Sequence, residues 1–110
     1  MLKFSSISAF NLGSGRKTNE NTTWVKEQLG LYAISDGASG PFGKWAADSV
    51  CMKMEEIFSS HRSTIDKYNE TQARDLRNQL FEIMDVAVEQ VNQYLLAEIK
   101  KDPKKSGAAA

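Results

Sequence analysis

Two carboxylates flank a predicted strand-turn-strand unit, and their types and spacing are suited to metal chemistry. If residues 27–30 make the reversal and the strand pairing is centred on Gln28, Glu20 lies directly opposite Asp36. Opposed carboxylates with Cβ atoms about 5 Å apart repel each other unless one is protonated or a cation lies between them. Oxygen ligands without His or Cys favour Mg²⁺, Mn²⁺ or Ca²⁺. The spacing therefore predicts a divalent metal site, although a register shifted by one residue would separate the two carboxylates onto opposite faces.

The residues around this pair allow a chemical and a purely structural interpretation. Gly37 and Gly40 let the backbone approach a ligand closely, but most Asp-Gly pairs such as Asp36-Gly37 simply end a strand in a turn. Arg16 lies four residues before Glu20, and a guanidinium beside metal-binding carboxylates suits a phosphate held by paired hydrogen bonds. The alternative for Arg16 is a solvated cation in a loop.

The predicted elements divide the chain into a strand-rich and a helical part. β-Branched and aromatic residues between clusters of Gly, Ser and Asn predict three strands, at about 3–11, 20–26 and 30–36. The apolar period then becomes that of a helix and predicts two long helices, at about 41–61 and 70–101, joined by a polar connection. Both helices are amphipathic, so their apolar faces need a partner, and the strands are the available one.

Composition excludes several classes of protein. The chain has 110 residues with 14 basic and 14 acidic side chains, and a net charge of zero argues against nucleic acid as a partner. No apolar run approaches the roughly 20 residues needed to span a bilayer. Cys51 cannot form an internal disulfide, which favours the reducing cytoplasm, and we assign it to the core. His61 falls near a helix end among polar residues, where a solvent-facing role is expected.

The order of motifs resembles a known family. Gly13, Arg16, Asn19-Glu20 and the segment LYAISDGASG at 31–40 are similar to the N-terminal part of the metal-dependent type 2C protein phosphatases. Bacterial-type members carry an Arg-x-x-Asn-Glu-Asp segment, a hydrophobic strand ending in Asp-Gly, a nearby Gly and a long helix pair. The resemblance covers essentially the whole chain, and the small residues 107–110 resemble the approach to the family's next core strand.

The resemblance implies an α+β fold. N-terminal antiparallel β-strands are followed by a pair of long antiparallel helices, as part of a β-sandwich flanked by helices. Residues 1–110 would be a single, incomplete domain, with unpaired sheet edges and an uncovered inner face.

The resemblance also implies roles for four residues. Glu20 would ligate one divalent metal, Asp36 would bridge two, and the backbone carbonyl of Gly37 would complete the first. Arg16 would bind the phosphate of a phosphoserine or phosphothreonine protein. The complete site would hold two Mn²⁺ or Mg²⁺ ions that activate a water for attack on phosphorus.

Three features depart from the family's pattern. Asn21 stands where the family has an acidic residue that holds metal-bound water, and Ala38 stands where many eukaryotic members have a His proposed as general acid. The family's remaining ligating Asp residues lie further downstream. No downstream Asp candidate lies on a predicted strand. Asp66, Asp75, Asp85 and Asp102 fall in the helical half of the chain or its connections.

Three functions therefore stay open. The leading hypothesis is the N-terminal part of a metal-dependent serine/threonine phosphatase, nearly inactive as 110 residues alone and completed by the missing half of the domain or another copy of the chain. The alternative is a catalytically inactive phosphatase-like module for protein binding or regulation. A third is a small helix hairpin on a three-stranded sheet that acts in interactions and has no site.

Overall fold

The computed structural model describes residues 5–9, 20–38 and 40–110. It is a mixed α+β structure in which strands precede helices, as predicted, but these residues do not form a β-sandwich. The elements are β1 (Asn21–Lys26), β2 (Leu31–Asp36), α1 (Gly43–Ser60), α2 (Arg62–Thr71) and α3 (Arg74–Lys101), with 3₁₀ turns at Glu27–Leu29 and Pro103–Lys105.

The first predicted strand is not found where the structure describes it. Residues 5–9 belong to no strand, and residues 3, 4, 10 and 11 lie outside the described part of the chain. Three of the five described residues are serines, and Ile7 is 97% exposed. Ile7, the one large apolar side chain of these five residues, is thus not buried against the sheet.

The reversal between β1 and β2 is a 3₁₀ turn followed by a left-handed glycine. Gly30 has φ of 62°, and its N–H donates to the carbonyl of Glu27 at 3.0 Å. This conformation is costly for residues with a Cβ and easy for glycine. The sequence therefore ends one strand and begins the next at a defined residue.

The strand register differs from the predicted one by one residue. In the antiparallel pair, Asn21 and not Glu20 lies opposite Asp36. The reversal spans residues 27–30 as predicted, but the centre of four residues falls between Gln28 and Leu29 and not at Gln28. The opposition of Glu20 and Asp36 was therefore a wrong prediction.

The hairpin has one covered and one open face. Thr22 and Ser35 are buried on the face that meets α1, with Trp24 half-buried beside them. On the other face Ile34 is 82% exposed and Tyr32 is 46% exposed. The side chain of Asp36 belongs to this open face, because alternate residues of a strand point the same way.

Small side chains let α1 approach the hairpin. The helix begins at Gly43, two residues later than predicted, and Pro41 lies in the turn before it. Ala46, Ala47 and Cys51 are fully buried where α1 packs against both strands and α3. The core is therefore built from short side chains at close distance.

The predicted polar connection is largely helical. Residues 62–71 form α2, which ends at Gln72 in the left-handed region with φ of 54°. Its single buried residue is Ile65, and the helix contacts α3. So few apolar residues gave the sequence little to indicate a buried helix face. In α3 the predicted stripe is buried at Ala87, Val91 and Leu95. No helix of the described residues is long and apolar enough to cross a membrane.

Candidate functional site

The predicted site residues lie at the open end of the hairpin, away from the 3₁₀ turn. Glu20 immediately precedes β1, Asp36 ends β2, and Gly37 follows it. Arg16 lies outside the described residues, so its predicted phosphate contact has no structural counterpart to report. The geometry of the site therefore depends on Glu20, Asp36 and Gly37.

Glu20 is held against the segment that leads from β2 into α1. Its backbone carbonyl accepts a hydrogen bond from the Gly37 N–H at 3.2 Å, and its Oε1 accepts one from the Gly40 N–H at 3.3 Å. The side chain is half-buried, and it lies near the beginning of α1, where a negative charge is favourable. Glu20 and Gly37 are thus neighbours through their backbones.

Asp36 stands apart from this pair. It is exposed and shares the open face of the hairpin with Ile34. Asn21, its cross-strand neighbour, is uncharged, so the repulsion that would have demanded a cation between two opposed carboxylates is absent from this pair. Of the two predicted carboxylate ligands, Glu20 faces α1 and Asp36 lies on the other side of the hairpin.

Two glycines bring the site and the helix into backbone contact. A Cβ built at Gly37 would stand 2.1 Å from the Gly43 carbonyl oxygen, and one built at Gly43 would stand 2.0 Å from the Ala38 carbonyl oxygen. Sequence reasoning missed Gly43. A glycine at the first position of a helix, where it lowers helix propensity, was the available signal for such a close approach.

The C-terminal segment, residues 105–110, contacts the backbone that follows Gly37 and the first turn of α1. The Ala38 N–H donates to the Ala109 carbonyl at 2.8 Å, and the Lys105 Nζ lies 4.3 Å from the centroid of the Trp45 ring. Residues 107–110 are not a strand. Their contact with Ala38 nevertheless supports the backbone just after Gly37.

A cluster of polar side chains lies between β1 and α1. The buried Thr22 hydroxyl donates to the Asp48 carboxylate and accepts from the Lys44 Nζ at 2.8 Å. Lys44 also donates to the Asn21 carbonyl at 2.9 Å and pairs with Asp48 at 3.2 Å. Lys44 therefore makes structural contacts beside the site. The sequence did not indicate these contacts.

The described residues match only part of a divalent metal site. Within 5–9, 20–38 and 40–110, no group of three or more His, Cys, Asp or Glu side chains could hold a metal ion. The Glu20 carboxylate and the Gly37 carbonyl supply hard oxygen donors of the kind that Mg²⁺ and Mn²⁺ prefer. In donor chemistry these two groups suit such an ion, and the remaining ligands would have to come from elsewhere.

An open groove of about 370 Å³ lies between α1 and α3. Apolar side chains form much of its wall, including Val50, Met54 and Val88. Neither Glu20 nor Asp36 lines it. The groove is therefore separate from the candidate metal ligands.

Comparison with known proteins identified no matching family model, no similar curated protein and no similar solved structure.

Proposed function

We propose that this chain is the N-terminal part of a metal-dependent serine/threonine protein phosphatase domain, which hydrolyses phosphomonoesters. The observation that carries the proposal is the arrangement of Glu20 and Gly37. These residues are 17 positions apart, yet their backbones are hydrogen-bonded and both lie against the first turn of α1. The resemblance to the phosphatase family assigns metal binding to these same two residues.

Each candidate residue has a stated role in this proposal. Glu20 and the Gly37 carbonyl would hold one Mn²⁺ or Mg²⁺. Asp36, whose side chain belongs to the open face, would have to reorient to be shared with a second ion. Arg16 would bind the substrate phosphate. A divalent metal supplies Lewis-acid activation of water and stabilises charge that develops on phosphorus.

The proposal includes partners and a cellular location. The substrate is a phosphoserine or phosphothreonine protein, and the remaining ligands come from further sequence of the same domain or from another copy of the chain. The exposure of Ile34 and Tyr32 on the open face supports such a completing partner. The free, buried thiol of Cys51 supports a reducing, cytoplasmic setting.

A second function is favoured by a specific observation. Glu20 already accepts a hydrogen bond from Gly40, and Asp36 lies opposite the neutral Asn21 rather than opposite an acid. A phosphatase-like module that binds proteins without catalysis would tolerate both features. Metal affinity separates this function from the first.

The test is Mn²⁺ binding, measured from the electron paramagnetic resonance signal of the unbound ion. We expect weak binding by the wild type, and at least about a tenfold loss of affinity in Glu20→Gln and in Asp36→Asn, because each removes a charged ligand. Glu27→Gln is the matched control, since Glu27 is an exposed carboxylate at the opposite end of the hairpin. Binding that is absent, or that all three variants retain, favours the inactive module.

Activity gives an independent readout. We expect the 110 residues alone to release negligible phosphate from a phosphorylated peptide with added Mn²⁺, because the described part of the chain provides too few metal ligands. Efficient turnover that is lost in Asp36→Ala would contradict the incomplete site and support an active enzyme assembled in another way.

A further inference from the structure

Gly43, the first residue of α1, is buried between two parts of the candidate site. A Cβ at this position would stand 2.0 Å from the Ala38 carbonyl oxygen and 3.1 Å from the carboxyl carbon of Glu20. A Cβ at Gly37 would in turn stand 2.1 Å from the Gly43 carbonyl oxygen. The helix start and the backbone after β2 therefore fit together only when both positions lack a side chain.

The need for glycine at these two positions is spatial. Neither Gly37 nor Gly43 is among the residues with positive φ, so other amino acids could adopt either backbone conformation. Glycine is a poor helix former, which makes its place in the first turn of α1 unfavourable on propensity alone. Close backbone approach is the feature that glycine provides here.

Hydrogen bonds connect this contact to the Glu20 carboxylate. The Gly40 N–H donates to Glu20 Oε1 at 3.3 Å, and the Gly40 carbonyl accepts from the Gly43 N–H at 3.3 Å. The turn that begins α1 therefore holds the carboxylate at one end and Gly43 at the other. A displacement of the first turn would move Glu20 with it.

We propose that Gly43 is a positioning residue that sets the distance between the Glu20 carboxylate and the Gly37 carbonyl. The inference rests on the proposed function, because it treats these two groups as ligands of one divalent ion. An added methyl at position 43 forces the Ala38 backbone to shift and pushes the Glu20 carboxyl aside. The two oxygens then no longer present the spacing that the metal requires.

The test compares Gly43→Ala with Gly30→Ala in Mn²⁺ titrations of the full chain. Gly30 has φ of 62° and no neighbour within 4 Å of a built Cβ, so alanine there strains the fold at the far end of the hairpin. We expect Gly43→Ala to lower Mn²⁺ affinity by at least about tenfold, and Gly30→Ala to leave it unchanged while lowering the melting temperature.

The outcomes separate the inference from the proposed function. Unchanged affinity in a folded Gly43→Ala protein overturns the positioning role and leaves the metal site standing. Absence of Mn²⁺ binding by the wild type overturns both. Equal losses in Gly43→Ala and Gly30→Ala would assign the effect to general destabilisation and also overturn the positioning role.

A second measurement needs no variant and covers the case in which Gly43→Ala does not fold. In a titration of the wild type with Mg²⁺ followed by nuclear magnetic resonance, the amide signals of Gly40 and Gly43 should shift together with that of Gly37. The Gly30 amide should not shift. A shift at Gly37 without one at Gly40 and Gly43 contradicts the coupling.

Discussion

Cys51 shows how its surroundings set the chemistry of a single residue. Among the residues that the structure describes it is the largest side chain that is completely buried, and burial raises the pKa of its thiol. The nearby Asp48 carboxylate raises this pKa further, while Lys44 acts in the opposite direction. The thiol is therefore held in its neutral form, which suits a packing role and opposes reactivity.

The raised pKa of Cys51 predicts a loss of stability at alkaline pH. The folded chain keeps the thiol proton more tightly than the unfolded chain, so the free energy of unfolding falls once the pH exceeds the unfolded pKa of about 8.5. Urea unfolding at pH 7 and pH 10 measures the effect. Cys51→Ala should lose less stability between these two pH values, and an equal loss would contradict the assignment.

At the scale of the elements, α1 holds the hairpin through polar side chains that reach across from β1. The Trp24 indole donates to the Glu55 carboxylate, which also pairs with Lys26 at 3.4 Å. Further along, the Thr22 hydroxyl meets Asp48. Polar contacts at both ends and short apolar residues between them orient β1 along the helix, which in turn places Glu20 beside the first turn of α1.

Removing the carboxylate of Glu55 tests this attachment. Glu55→Ala leaves the half-buried Trp24 indole and Lys26 without their partner, and we expect a loss of about 1–2 kcal/mol in the free energy of unfolding. Glu56→Ala is the control, because the side chain of Glu56 is 66% exposed and pairs with Lys53 on the same helix. We expect less than about 0.5 kcal/mol for the control. Similar urea midpoints for the two variants would contradict the role of Glu55.

At the scale of the whole molecule, the chain is more extended than a typical compact domain. Its radius of gyration is 16.0 Å, against about 13 Å expected for 110 residues. Its dimensions are 46 × 32 × 16 Å. Large apolar side chains also remain on the surface, on the open face of the hairpin and along α3. They include Tyr32, Ile34, Phe81, Met84 and Val88.

The exposure of Ile34 predicts that the open face of the hairpin promotes self-association of the chain. Ile34→Thr keeps a β-branched residue in β2, so we expect the free energy of unfolding to change by less than about 0.5 kcal/mol. Self-association in sedimentation velocity should decrease. The buried Ser35 is the adjacent residue of opposite orientation, and Ser35→Ala should leave association unchanged. If Ile34→Thr self-associates as strongly as the wild type, the prediction is wrong and another surface, such as the exposed side chains of α3, mediates the association.

The sequence by itself determined the strands and helices that are specified by residue types and apolar periods within a single segment. β-Branched and aromatic residues between clusters of turn-forming residues located both strands of the hairpin and the reversal at 27–30, and helical periods located α1 and α3. The sequence prediction failed at residues 5–9 and 62–71, where serine-rich and polar segments contain few apolar residues. The residue types at Glu20 and Asp36 suggested metal chemistry without determining their relative orientation.

The register follows from the reversal, because four residues centred between Gln28 and Leu29 place Asp36 opposite Asn21. Only the tertiary structure decided how Glu20 lies, since packing against α1 brought it to Gly40 and Gly43. These relationships join residues 15 to 23 positions apart in the chain. Their geometry depends on how the hairpin and α1 pack together. The spacing of residues along the sequence therefore identified the candidate ligands but could not predict their relative positions.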